Sequence, residues 1–170
     1  MPINTNLQNT VAELGTNVSL PNQNRPYCTF DSQRTTNLVN AGEEAVPYID
    51  TFLKSATTEE QVLDGLQVLD KMLDNNVKGI DKIYPTLSLF NNVTSPNVQV
   101  YLSGIYRKTL VPDAFGPLTK MLYRQTVMPN SPYFDPTEEI GGAIYEYLKN
   151  QSVLNTAGMN IQAQQLTNKQ

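Results

Sequence analysis

The stretch VPYIDTFLKSATTEEQVLDGLQVLDKML, from Val46 to Leu73, decides the fold class of this chain. Apolar residues recur in it every three or four positions, which is the spacing of an amphipathic helix. It also carries Pro47 near its start and Gly65 in its centre, although both residue types destabilise a helix interior. The stretch therefore predicts a pair of helices in which the proline and the glycine need an explanation.

Six helices with short connections are predicted when the same reading is extended along the chain. Thr57 followed by Glu60 has the pattern of a capping box, and Asp135-Pro136 offers an N-cap followed by a proline at the first helical position. The predicted helices cover about residues 43–55, 58–74, 77–91, 96–110 and 113–128, and a last one starts at Asp135-Pro136. No strand pattern competes with them, so the chain is predicted to be all-α.

The predicted helices fall into pairs, with a proline in the first member and a glycine in the second. The prolines are Pro47, Pro85 and Pro117, spaced by 38 and 32 residues, and the glycines are Gly65, Gly104 and Gly142, spaced by 39 and 38. Two-helix units that recur at such a period are typical of solenoids. We expect the proline to kink an outer helix around the curve and the glycine to let a neighbouring helix approach closely.

This pattern resembles HEAT or armadillo-type repeats, in which a first helix with a proline is followed by a tight turn and a second helix with small residues at its centre. The resemblance is clear over Pro47 to Leu73, is looser over Pro85 to Leu110, and extends over roughly residues 43–149. It implies a short right-handed α-solenoid of three helical hairpins. It also implies a scaffold or adaptor that binds partner proteins on its surface.

Composition divides the chain into a helical-repeat domain at 41–149 and two polar ends. Residues 1–40 and 150–170 are dominated by Asn, Thr, Gln and Ser, so we expect a disordered N-terminal segment and a loose C-terminal tail. Each end nevertheless has one apolar set at helical spacing: Ile3, Leu7, Val11 and Leu14 at the start, and Val153, Ala157 and Ile161 at the end. Docking on the core, binding a partner and no role at all stay open for both sets.

Charge and composition exclude several classes of function. The net charge of −4 disfavours general binding to nucleic acid or anionic membranes, which depends on Lys and Arg. Cys28 is the only cysteine and histidine is absent, so we predict no internal disulfide, no metal site and no cofactor, and the single thiol fits a cytoplasmic protein. No apolar run approaches the length of about 18 residues that a membrane span needs.

The candidate contact residues lie in two similar sequences, IYRKTLVPD (105–113) and LYRQTVMPN (122–130). They are Tyr106, Arg107, Lys108, Tyr123 and Arg124. Tyr and Arg are enriched at protein interfaces, but an arginine followed by a proline is also a common signal for the end of a helix. Because the two copies end consecutive antiparallel helices, we expect them near opposite edges of the stack and not in one site.

Charge is distributed unevenly along the predicted stack. Residues 43–81 hold nine acids and three bases, a net charge of −6, whereas residues 82–124 hold one acid and five bases, a net charge of +4. Either this is a solvated face, or the basic half is a docking surface for an acidic partner. Paired carboxylates at Glu43-Glu44, Glu59-Glu60 and Glu138-Glu139 fall in predicted first helical turns, where negative charge complements the helix dipole.

The sequence favours a non-catalytic scaffold or adaptor that binds a partner protein on the solenoid. One alternative is an enzyme or small-molecule-binding domain that uses carboxylates such as Asp64 or Asp70 in a deep concave pocket. Another is a structural subunit that joins a larger assembly through its Asn/Gln-rich termini. The scaffold predicts an exposed binding surface. The enzyme predicts buried acids in a pocket, and the structural subunit predicts self-association.

Overall fold

A computed structural model describes residues 2–127, 135–150 and 152–158 of the chain. Its regular secondary structure is helical, as predicted, with two isolated β-bridges joining Ser19 to Thr29 and Asn22 to Arg25. The helices are α1 (Thr5–Ala12), α2 (Ser32–Ala41), α3 (Val46–Lys54), α4 (Glu59–Asp74), α5 (Tyr84–Leu87), α6 (Pro96–Thr109), α7 (Phe115–Val127) and α8 (Thr137–Leu148). Residues 152–158 are also helical.

The three repeated prolines lie in first helical turns and not in helix interiors. Pro47 and Pro85 are the second residues of α3 and α5, and Pro117 is the third residue of α7. A short 3-10 turn runs directly into each of these helices: Gly42–Ala45, Ile80–Ile83 and Pro112–Ala114. The first turn of an α-helix tolerates proline, because few of its N–H groups are needed for the α-helical hydrogen-bond pattern. The kink expected of an outer helix stays a prediction.

The repeated glycines do mark close contacts between helices. A Cβ at Gly65 would lie 2.7 Å from Leu53 Cδ2 on α3, and one at Gly104 would lie 3.1 Å from Asp70 Oδ1 on α4. At Gly142 the nearest atom would be Arg107 Nη1 on α6, at an ordinary 3.8 Å. The predicted close approach is thus present at the first two glycines, against α3 in one case and α4 in the other.

The second helices of the pairs contact one another in chain order. Helix α2 packs on α4, α4 on α6, and α6 on α8, while α1 packs on α3, and α3 on α4 and α5. Helix α4 lies at the centre: every residue from 62 to 69 is buried, including the polar side chains of Asp64 and Gln67. One hydrophobic core therefore runs from α1 to α8.

The N-terminal segment differs from the disordered segment expected from its composition. Helices α1 and α2 bury apolar side chains in the common core, namely Leu7, Val11, Leu14 and Leu38. Each helix has a side-chain cap, because Asn4 accepts from the backbone N–H of Leu7 and Asp31 accepts from that of Arg34. The apolar set at helical spacing outweighs the polar composition, and of the alternatives left open the segment docks.

Other boundaries shift for local reasons. The capping box of α4 is formed by Thr58 and Gln61, one residue later than predicted. The helix predicted at 77–91 starts only at Ile80, because Gly79 adopts a left-handed conformation (φ 94°) before it. It is divided into the 3-10 turn Ile80–Ile83, α5 and the 3-10 turn Ser88–Phe90. At the C-terminus Ala157 is buried and Val153 packs partly on the core, whereas Ile161 lies outside the described residues.

The paired carboxylates lie where the sequence predicts them. Glu59 and Glu60 occupy the first turn of α4, and Glu138 and Glu139 occupy that of α8. Glu43 and Glu44 begin the 3-10 turn before α3. Their negative charge offsets the positive end of each helix dipole, so a structural role accounts for all three pairs.

Candidate functional site

Tyr106, one of the predicted contact residues, belongs to the core. Its side chain is fully buried, and its hydroxyl donates a hydrogen bond of 2.6 Å to the side-chain oxygen of Asn91. Its ring lies 5.7 Å from that of Tyr84, centroid to centroid. The prediction that Tyr106 is a surface contact residue is therefore wrong, because a partner cannot reach a side chain with no exposed area.

Tyr106 is part of a buried tyrosine network that joins several helices. The side-chain amide of Asn91 donates to the Tyr84 hydroxyl at 3.4 Å, and that hydroxyl donates to the carbonyl oxygen of Asp113 at 3.0 Å. Tyr147 on α8 donates to the carbonyl oxygen of Val111 at 2.5 Å. Burial is the main cause that raises the pKa of Tyr84, Tyr106 and Tyr147 above the ordinary tyrosine value. These phenols stay neutral and act as hydrogen-bond donors that fix helix positions.

Lys108 is engaged in ion pairs within the chain. Its ammonium lies 2.7 Å from Asp70 Oδ1 and 2.8 Å from Asp74 Oδ1, so it joins α6 to α4. Burial acts to lower the pKa of Lys108, but the hydrogen bonds and charges of the two aspartates outweigh it and raise the pKa. The basic and acidic halves of the chain therefore neutralise each other in part at this contact.

Arg107 is a candidate that remains accessible to a partner. Its side chain is exposed, and it forms no hydrogen bond or ion pair with the part of the chain that the structure describes. It lies where α6 meets α8, since its Nη1 is the atom nearest to a Cβ placed on Gly142. A guanidinium in this position offers five donors in a planar fork to a carboxylate.

The second copy of the motif supports the fold through Arg124. Its Nη2 donates to the carbonyl oxygen of Asn91 at 2.8 Å, and its Nη1 donates to the side chain of Asn92 at 3.3 Å. Asn91 also accepts from Tyr106, so the two motifs meet at one residue instead of lying at opposite edges. Tyr123, next to Arg124, is 70% exposed.

Asp64 and Asp70, the carboxylates that an enzyme would use in the alternative function, both bond to other parts of the chain. Asp64 is fully buried in α4 and accepts from Arg34 Nη2 at 2.6 Å and from the backbone N–H of Gly15 at 2.9 Å. Asp70 accepts from Lys108. Each carboxylate is held by a cation of the same chain, so neither faces an open pocket as a free acid or base.

The Arg34–Asp64 pair joins the N-terminal segment to α4 and is invisible in the sequence pattern. Arg34 is only 5% exposed, and its Nη2 also donates to the carbonyl oxygen of Thr16 at 2.6 Å. Beside it, Gln67 donates to the hydroxyl of Thr35 at 2.9 Å.

The described surface has several grooves, and one of them is mainly apolar. A groove of about 380 Å³ between α1 and α3 is lined mainly by apolar residues, among them Val11, Pro47, Tyr48 and Phe52. In residues 2–127, 135–150 and 152–158 there is no group of three His, Cys, Asp or Glu side chains that could hold a metal ion. Over the same residues, no helix is long and apolar enough to cross a membrane.

Comparison with known proteins leaves the family open. No family model matches the sequence, no curated protein matches it, and no solved structure matches the fold. The resemblance to HEAT or armadillo-type repeats therefore stays a prediction from the sequence.

Proposed function

We propose that this chain is a non-catalytic protein-interaction scaffold, built as a short right-handed α-solenoid similar to HEAT or armadillo-type repeats. The observation that carries the proposal is the chain-order packing of α2, α4, α6 and α8, which is how helical repeats build an extended surface. The enzyme alternative is weaker, because Asp64 and Asp70 are engaged by Arg34 and Lys108. Assembly through the N-terminus is weaker as well, because α1 and α2 already contribute to the chain's own core.

The binding surface in this proposal centres on Arg107. Of the five predicted contact residues, Tyr106 is buried, Lys108 and Arg124 bond to other parts of the chain, and Arg107 and Tyr123 are exposed. Arg107 is exposed at the contact of two second helices, where a partner would meet both. Its charge favours a partner that presents a carboxylate there.

Charge reversal at Arg107 is expected to weaken partner binding. An affinity capture from native lysate, repeated with the Arg107→Glu chain, should lose the partner, because removing an interface hot spot costs about 2 kcal/mol or more in binding free energy. Lys120→Glu is the matched control, since it makes the same charge change at an exposed residue of α7. Equal capture by the Arg107→Glu and wild-type chains would contradict this surface, and no specific capture by any chain would contradict the scaffold.

A further inference from the structure

The irregular segment between α1 and α2, residues 16–30, lies against both α4 and α6; we refer to it as the strap. Directly before the strap, Gly15 packs on Gln61 of α4 and donates its N–H to Asp64. At the C-terminal end of the strap, the ring of Phe30 meets that of Tyr101 on α6 edge to face, with centroids 5.7 Å apart. The strap therefore covers surface that second helices of a repeat protein would otherwise offer to a partner.

Burial changes abruptly at the two ends of the strap. Leu14 before it and Arg34 and Leu38 after it are buried, but each residue from 16 to 30 is exposed or only partly buried. Beyond the bonds of Thr16 to Glu13 and Arg34, its backbone is paired mainly by the bridges that join Ser19 to Thr29 and Asn22 to Arg25. A segment with few buried contacts between two firmly packed helices is the kind that opens locally while the rest of the fold stays intact.

The face beneath the strap is aromatic and acidic. Burial and then the negative charge of Glu59 raise the pKa of Cys28 to about 11. Burial and then the charges of Cys28 and Asp70 raise the pKa of Tyr101 to about 12. Glu59, at the start of α4, also accepts hydrogen bonds from Ser95 and Asn97 at the start of α6. Cys28 on the strap thus lies within electrostatic reach of Tyr101 and Glu59.

The strap is complementary to this face. Arg25 is its only charged residue, and Tyr27 and Phe30 are its aromatic ones, so it is a weakly basic aromatic segment. Beneath it, the negative charge of Glu59 acts on Cys28, and that of Asp70 acts on Tyr101. The strap therefore shows, within one chain, what kind of segment this face accepts.

We propose that the strap opens as a unit and that the face around Tyr101 and Glu59 then binds an extended, weakly basic segment of a partner protein, with an aromatic ring in the place of Phe30. This inference rests on the proposed scaffold function. It adds the chemistry of the partner and the requirement that the strap open before the partner binds. The closed strap competes with the partner, so the apparent affinity falls in proportion to the small fraction of open chains.

The opening step can be measured on the full chain with its own single thiol. Cys28 lies on the strap and is partly buried when the strap is closed, so the rate of its alkylation by N-ethylmaleimide, followed by mass spectrometry, reports opening. We expect alkylation slower than that of a free peptide, with little dependence on urea well below the unfolding transition, because local opening exposes little surface. If alkylation follows global unfolding at every urea concentration, the strap does not open locally and the proposal is overturned.

Two variants identify the contact that holds the strap. Phe30→Ala should raise the alkylation rate about tenfold, because it removes an edge-to-face ring pair and the burial of that ring. Tyr27→Ala is the matched control, since Tyr27 is 59% exposed on the same strap, and it should leave the rate nearly unchanged. Equal rates for the two variants would overturn the role of the Phe30–Tyr101 contact.

Binding at the exposed face is tested with a synthetic peptide of residues 18–30 carrying Cys28→Ser. Added to the full chain, the peptide should speed alkylation of the chain's Cys28 saturably by trapping the open form, and a peptide that also carries Phe30→Ala should not. If the strap opens locally but the first peptide does not speed alkylation, the exposed face does not bind such a segment and this part of the proposal is overturned. Failure of the scaffold function itself would be seen separately, as no specific capture from lysate.

Discussion

Replacing Asp64 by alanine is expected to lower the free energy of unfolding by about 3 kcal/mol, because it removes the nearer counter-charge of the buried Arg34 guanidinium and leaves only Asp31, at 3.6 Å. The backbone N–H of Gly15 loses its acceptor at the same time. Urea unfolding followed by circular dichroism measures the change. Asp64→Asn keeps a hydrogen-bond acceptor and loses the charge, so it should be less severe and stay folded for comparison.

The loss should be largely reversed when both charges are removed together. The double variant Arg34→Met/Asp64→Leu replaces the buried pair with apolar side chains, which is often neutral or even stabilising. It also removes Arg34 Nε, which is buried without a hydrogen-bond partner among the described residues. Asp81→Ala is the control, because Asp81 is exposed and should change stability by less than about 0.5 kcal/mol. A loss at Asp64→Ala as small as this control would contradict a folded N-terminal segment.

Truncation of Tyr106 is expected to destabilise the fold and not to act selectively on binding. Tyr106→Ala should lower the free energy of unfolding by about 3–5 kcal/mol, as for other large buried aromatic side chains. Tyr106→Phe keeps the ring but leaves the side-chain oxygen of Asn91 without its donor. It should lower the free energy of unfolding by about 1–3 kcal/mol. Thermal and urea unfolding of both variants measure these losses.

The control for Tyr106 comes from the second copy of its motif. Tyr123 precedes an arginine in the same way but is 70% exposed, so Tyr123→Ala should cost much less stability than Tyr106→Ala. If Tyr106→Ala kept full stability and lost only partner capture, Tyr106 would be a contact residue after all and the buried network would be contradicted.

The helical period predicts much of the central fold. The 16 residues of α4 have a strong apolar face, and the predicted range of 58–74 is one residue longer than the observed helix. The sequence did not predict that each of the three spaced prolines would lie in the first turn of an α-helix. Whether a proline breaks a helix depends on where the first turn starts, and the 3-10 turns before α3, α5 and α7 move that start to just before each proline.

The features that the sequence did not predict depend on residues far apart in the chain. Asp64 and Arg34 are 30 residues apart, and neither carries a local mark that it will find the other. Tyr106 has a helical position and a neighbouring arginine, as a surface residue would, but Asn91 lies 15 residues upstream and supplies its buried acceptor. Composition alone also underestimates a segment such as residues 1–40, because four or five well-placed apolar side chains suffice to dock two short helices.

Hydrogen exchange of the full chain tests most directly whether the N-terminal residues are an integral part of the helical stack. The hydrogen-bonded amides of α2 should be protected nearly as strongly as those of α4, while residues 16–30 exchange much faster through local opening. Amides of α2 that exchange at the rate of an unfolded peptide, beside a protected α4, would contradict the docked N-terminal segment and the strap that depends on it.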